Sequence, residues 1–350
     1  MNIDFNTPTW LINYYNAVGL ISLLINIATI LLIIFKSEKL GSFKYFMLAF
    51  QIINTISDFH VTILMQPVPL FPIWAFFSVG FAADELEIWS HVLIAVLITS
   101  VGCQFVSLEF CFLKKHQAIA EITRRHQIPE MKLNIFRICM SIWPIFTYIL
   151  IYLAGMKREV SMAFVLLTYQ YIFEFSKLKN FAIYKWSFWF IFSSIVGTFG
   201  IVLYFLICNF ATCDMLQMLK EVQLKVSNQN YKRHRSVLTT LIAQSLGSSV
   251  IVVPACALMV FGLLELGYDQ LICEIICMVF SLRGSIHSIV FVLTTPPYRR
   301  FIFGQKFSIP EICRFTDFPK ILGCASLPVW RFSGNFQFRK IAGLPICRIF

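Results

Sequence analysis

Two residues carry charge where the surrounding sequence is apolar: Asp58 in SDFHVT and Arg283 in SLRGSIHS. An ionised group in hydrocarbon costs a few kcal/mol, so such residues persist for a contact or a function. Counted from the basic ends of their apolar runs, the two sit at depths of roughly 20 Å and 15 Å. Similar depth permits an ion pair between neighbouring helices; the alternative is that each faces a wet cavity alone. Glu109 lies near the inner end of a third run and Glu274 near the outer end of the run that holds Arg283, and Asn26, Gln104 and Gln244 are uncharged polar groups within runs. These read as hydrogen-bonding glue between helices, and His60, His91 and His287 as interior donors. The eleven cysteines fall mostly inside runs or on the basic side, which argues for free thiols, and none pairs with histidine at zinc-ligand spacing. We therefore expect no metal and no cofactor. Nucleotide-binding, nucleophile-elbow and metalloprotease motifs are absent, and Asp58 is the one aspartate within a run, so the chain does not read as an enzyme.

The elements holding these groups follow from composition. Of 350 residues, 58% are hydrophobic and 13% charged, with a mean hydropathy of +0.75. A soluble domain needs about a quarter charged residues to cover its surface, so most of this surface meets lipid. Runs near 20 residues match a hydrocarbon core of about 30 Å. Seven occur, at 11–35, 45–66, 89–113, 134–154, 187–212, 237–264 and 271–294. The fold class expected is an all-α bundle of seven transmembrane helices over 1–303, followed by a poorly ordered tail over 304–350. The first run lacks a basic residue ahead of it and reads as an uncleaved anchor.

Lysine and arginine set orientation. One side of the alternating loops carries 23 and the other five (Lys157, Arg158, Lys177, Lys179 and Lys185). The N-terminus is thus expected outside and the tail in the cytoplasm, which also accounts for the net charge of +11 without nucleic acid. The apolar core 162–173 between spans four and five is too short to span and is expected to pack on the bundle or the interface. In HVTILMQPVPLFPIWAFF (60–77), Pro67, Pro69 and Pro72 remove backbone donors. That stretch can neither extend a helix nor form a central strand, so it must close span two at the outer face.

Three stretches together carry a resemblance. SDFHVTILMQPVPLFPIWA (57–75), KKHQAIA (114–120) and SLRGSIHSIVFVLTTPPYRRFIF (281–303) are similar to the nematode serpentine chemoreceptors, class I foremost and class H next. Its span is about residues 8–305. The resemblance implies a chemosensory receptor in the plasma membrane of sensory cilia, binding a small environmental or pheromone-like ligand and signalling through a heterotrimeric G protein. Pro67, Pro69, Pro72, Pro296, Pro297, Tyr298 and Arg299 carry the family motifs, whereas Phe76-Phe77 and Lys114 depart from them. Motifs of the large rhodopsin-like family, Asp/Glu-Arg-Tyr after span three and Asn-Pro-x-x-Tyr in span seven, are missing.

A receptor of this kind needs an outward pocket between spans three, five, six and seven. His91, Trp186, Trp189, Tyr268 and Glu274 are the candidates in its outer half, although Trp186 and Trp189 fit an interfacial belt equally well. Lys114, Lys115, Arg124, Arg125, Lys232, Arg233 and Arg235 form the expected G-protein side. The rival readings are a solute transporter or a channel. A transporter would show internal repeats, and the odorant-gated channel type would place the N-terminus inside.

Overall fold

The structure is a computed structural model, and it describes residues 3–37, 41–71, 73–168, 172–263 and 270–304. Pro72, Tyr268 and the tail from 305 lie outside the described residues. Helix α1 spans Thr9–Lys36, and α2 (Phe43–Phe59) continues through a wider π-helical turn, His60–Met65. Strands β1 (Pro67–Pro69) and β2 (Ala75–Ser78) and the short α3 (Phe81–Asp84) follow. Helices α4 (Ser90–Thr123) and α5 (Glu130–Ala154) come next, then α6 (Arg158–Thr168), α7 (Ile172–Lys177) and strand β3 (Phe181–Ile183). The chain closes with α8 (Phe188–Lys225), α9 (Asn228–Leu263), α10 (Gln270–Ser281), α11 (Arg283–Thr294) and α12 (Pro296–Phe303).

Among the described residues, six of these rods are long and apolar enough to cross a membrane. The seventh is α9, 36 residues long, whose run 237–264 is apolar in the sequence. Neighbour packing closes a ring: α1 on α2, α2 on α4, α4 on α5, α5 on α8, α8 on α9, α9 on α11 and α11 on α1. Helix α4 also packs on α8 and α9, which puts it at the centre. The polarity of the bundle is inverted relative to a water-soluble protein. Helix α1 buries Ser22, Asn26 and Thr29 on one stripe and exposes Leu20, Ile21 and Leu24; α5 turns Ile135, Ile138, Ile142, Ile145 and Ile149 outward. Lipid accepts those side chains, while the polar ones find partners inside.

Three helices overrun the bilayer. At 34, 38 and 36 residues, α4, α8 and α9 are each roughly 50–57 Å long, some 20 Å more than the hydrocarbon core needs. The excess lies on the face carrying the basic loops, hereafter the basic face. Hydropathy stops where lipid stops, at about 113 and 212 and from about 237, whereas a helix continues until its chain is turned aside. For α4 that happens at Arg124, which adopts the left-handed conformation at φ 56°.

The opposite, N-terminal face carries a lid. Strands β1, β2 and β3 form an antiparallel sheet with β2 in the middle, pairing Val68 with Phe77 and Phe77 with Phe181. An all-α fold omits this sheet, in which β1 and β2 pair across a short connection and β3 joins them from about a hundred residues downstream. The prolines Pro67 and Pro69 occupy an edge strand, where a missing donor costs nothing. Helix α2 releases into it through the π turn: Gln66 N–H donates to Val61 O at 3.0 Å, and Gln66 itself is left-handed at φ 44°. Gln66 Nε2 then donates to Asn16 Oδ1 (2.7 Å) and Thr62 O (2.8 Å). The described residues of segment 162–173, in α6 and α7, join the same lid. Val165 and Phe175 pack with Leu11, Tyr15, Val68 and Phe77 in one small core.

Candidate functional site

The deepest polar cluster lies where α1, α2, α4 and α11 meet. Asp58 is buried, and its carboxylate is fully engaged. Ser22 Oγ donates to Oδ2 at 2.6 Å, Asn26 Nδ2 to Oδ2 at 3.2 Å, and the Gly284 N–H to Oδ1 at 3.1 Å. That last bond explains the break between α10 and α11: Asp58 takes a backbone donor that would otherwise continue the helix, and Leu282 sits at the interruption. A Cβ on residue 284 would collide with the carboxylate, so glycine is required there by close approach.

Asp58 and Arg283 do not form the direct ion pair that their matching depths permit. Among the described residues no ion pair within 4 Å joins them. Arg283 instead donates from Nη2 to Ser57 Oγ and lies over the Phe280 ring at 4.6 Å. The geometric reason is that Arg283 starts α11 one residue before the amide that Asp58 captures. The guanidinium turns to Ser57 and Phe280 rather than to the carboxylate. Further along, Gln51 Nε2 donates to Asn26 Oδ1 (2.9 Å) and Ser288 Oγ (2.7 Å). Gln104 Nε2 donates to Asn54 Oδ1 (2.7 Å), whose amide donates to Gly284 O (3.3 Å). Asn26 and Gln104 thus tie helices together. Gln244 is buried, and its side-chain amide has no hydrogen-bond partner among the described residues.

On the N-terminal face the outer-pocket candidates among the described residues sit in separate surroundings. His91 is buried: its Nε2–H donates to Tyr152 O (3.2 Å), which leaves Nδ1 to accept from Tyr184 Oη at 2.7 Å. Burial holds the Tyr184 phenol well above its ordinary pKa, so it remains a donor. The imidazole is thereby spent on fastening α4 to α5 and the lid. Trp186 and Trp189 are 44% and 41% exposed at the outer end of α8, with Trp186 stacked edge-on to Trp74 at 5.4 Å. This is the disposition of belt residues. Glu274 is buried on α10 and accepts from Gln270 Nε2 at 3.5 Å. Tyr268 lies outside the described residues.

The basic face is cross-braced. Asp214 on α8 accepts from His116 Nε2 (2.6 Å) and from His126 Nδ1 (2.7 Å), just past the end of α4. Arg125 pairs with Glu221 of α8. Lys115 is buried rather than displayed, and its ammonium reaches His234 Nδ1 of α9 at 2.8 Å. Lys114 is half-buried, while Arg124, Lys232 and Arg235 are exposed; the Arg233 side chain is outside the described residues. Sequence reasoning passed over Asp214, His116 and His126, although the KKHQ run that begins five residues after Glu109 places His116 two turns on along one face of α4.

At the end of the bundle, Thr295 is extended (φ −95°, ψ 107°) and Pro296 opens α12, as its fixed φ favours. Pro297 is exposed, Tyr298 buried and Arg299 half-buried. The Tyr298 hydroxyl bonds to Ser37 after α1, and its ring meets Phe291 at 5.3 Å. Burial raises the Tyr298 phenol above its ordinary pKa against the opposite pull of Ser37. Lys36 covers the Phe301 ring at 4.6 Å, so α12 is held against α1 from both ends of the contact.

Residues 1–302 match the family model described as serpentine type 7TM GPCR chemoreceptor Sri. The chain belongs to that family. No curated protein matches it. The crystal structure of squid rhodopsin is similar to this receptor with a TM-score of 0.51 at 15% identity, covering 91% of this chain and 87% of that one. At that identity the likeness concerns the seven-helix fold alone. The chemoreceptor is therefore a multi-pass membrane protein of receptor type.

Proposed function

We propose that this chemoreceptor binds a small environmental or pheromone-like molecule and passes the event to a heterotrimeric G protein through its basic face. The observation carrying this reading is the brace at that face. Helix α4 runs through the centre of the ring and, past the bilayer, is fastened to α8 by Asp214 and Glu221 and to α9 by His234. Any shift of α4, α8 or α9 within the bundle changes that surface, since packed interfaces switch between discrete arrangements instead of deforming smoothly. Exposed Arg124, Lys232 and Arg235 beside the brace suit an acidic or polar partner surface.

The excess of lysine and arginine on this side supports a cytoplasmic basic face and an outside N-terminus. Membership of a chemoreceptor family supports a place in the plasma membrane of sensory cilia in a nematode. In that setting His91 and the Trp186–Trp189 pair act as outer-end anchors, and Asp58 with Arg283 organises the helix contacts that a ligand would perturb.

Reporter expression combined with calcium imaging under a chemical panel tests the reading. Expression in ciliated sensory neurons, with at least one compound evoking a receptor-dependent signal, is the expected result. Expression confined to non-sensory tissue with no evoked signal would overturn it.

A further inference from the structure

Outside the polar cluster, the lid and the brace, one buried group has a use that none of them supplies. Glu109 on α4 is fully buried, and neither carboxyl oxygen has a hydrogen-bond partner among the described residues. Buried polar groups in native proteins are paired, and an exception calls for a partner still to be named. Beside it lies a cavity of about 100 Å³ between α4, α5 and α8, lined by Glu109, Phe105, Trp143, Thr147, Gly197 and Tyr204 among others.

The walls are almost wholly apolar, and the Glu109 carboxyl lies just behind them with both oxygens covered, so that a turn of its side chain would bring it to a guest's donor. Helix α8 makes the space with glycine. Gly200 lets the Trp143 indole lie directly on the backbone, and a Cβ at Gly197 would meet nothing within 4 Å. Dry apolar cavities of roughly 150 Å³ take a benzene-sized guest of six non-hydrogen atoms, so this one suits about four. It sits at membrane depth between helices whose outer surfaces face lipid, a path open to lipophilic molecules.

We propose that this cavity is the receptor's ligand site, and that its ligand is a compact lipophilic molecule whose single polar head donates a hydrogen bond to Glu109. The inference deepens the reading of the chain as a small-molecule receptor and places the site within the bundle rather than at its outer mouth. Amines and alcohols share the required head. The site also explains how occupancy reaches the coupling surface. Glu109 and His116 are two turns apart on α4, roughly 10 Å, so a guest wedged between α4 and α8 bears on the His116–Asp214 contact.

The test uses the full-length receptor in phosphatidylcholine nanodiscs, titrated with the size-matched propylamine, propan-1-ol and methyl formate while tryptophan fluorescence is followed. Saturable change with the amine or the alcohol, and none with the donor-less ester, is expected, and Trp143→Phe should remove the signal. Glu109→Gln should weaken an amine at least tenfold and spare an alcohol, whereas Glu109→Leu should abolish both. Gly197→Leu, which fills the space and leaves the carboxyl intact, should abolish binding in a monodisperse protein even where a Glu109 variant fails to fold. Absence of saturable binding by either donor, or equal binding in the wild type and Gly197→Leu, would overturn the site. Binding without any cellular response would sustain the site and count against the receptor reading, so the two failures are separable.

Discussion

Asp58 shows how a single carboxylate can shape a membrane bundle without a countercharge in contact. It accepts from Ser22, Asn26 and the Gly284 amide, which draws α1, α2 and α11 to one point and breaks the seventh rod there. The reciprocal swap Asp58→Arg with Arg283→Asp should therefore fail to restore the surface expression lost in either single variant. Recovery in the double variant, measured by surface labelling, would argue for a direct pair. Gly284→Ala should cost about 1–3 kcal/mol, since the added methyl has nowhere to go but into the carboxylate. A thermal-shift assay in detergent reads this as a lowered midpoint; an unchanged midpoint would show that Asp58 does not sit against residue 284. Depth made Asp58 and Arg283 conspicuous in the sequence, but depth says nothing of azimuth, and their partners come from helices whose rotation no local pattern encodes.

At the scale of elements, the lid and the brace do different work. The lid buries Phe77 and Val68 of the strands against Val165 and Phe175 of α6 and α7. Phe77→Ala should remove about 3–5 kcal/mol from this small core. Proteolysis at the N-terminal face should become faster while the membrane rods stay protected; uniform loss of protection would mean that the lid and the bundle fold as one unit. The proline-rich stretch was legible as the end of span two because three missing donors forbid a helix. Its strand partner was not, because β3 lies a hundred residues downstream. The extensions of α4, α8 and α9 were hidden for another reason: residues such as Lys114, Lys115 and His116 end an apolar window without ending a helix. Asp214→Asn should loosen the brace by weakening both histidine contacts, raising ligand-independent coupling several-fold at unchanged surface level. Unaltered basal coupling would show that the contacts are structural only.

For the molecule as a whole, the ring of rods around α4 joins a lipid-facing exterior, a lidded N-terminal face and a braced basic face. The number of spans was readable because hydrocarbon thickness sets a length scale that any apolar run must meet. The Glu109 cavity was not readable, since a void is made by what neighbouring helices omit, here a side chain at Gly197. The positive-side bias gives a checkable orientation: a tag at the N-terminus should be accessible on intact cells and one at the C-terminus only after permeabilisation, and the reverse pattern would invert every role assigned to the two faces. The central claim is that the basic face couples to a G protein, and resonance energy transfer between labelled Gα and Gβγ in cells expressing the receptor tests it most directly. Asp214→Asn should separate the subunits above the level in empty cells for at least one Gα class, and adding Lys232→Glu and Arg235→Glu should abolish that signal at equal surface expression. No separation with any Gα class, or a signal indifferent to the two charge reversals, would contradict it.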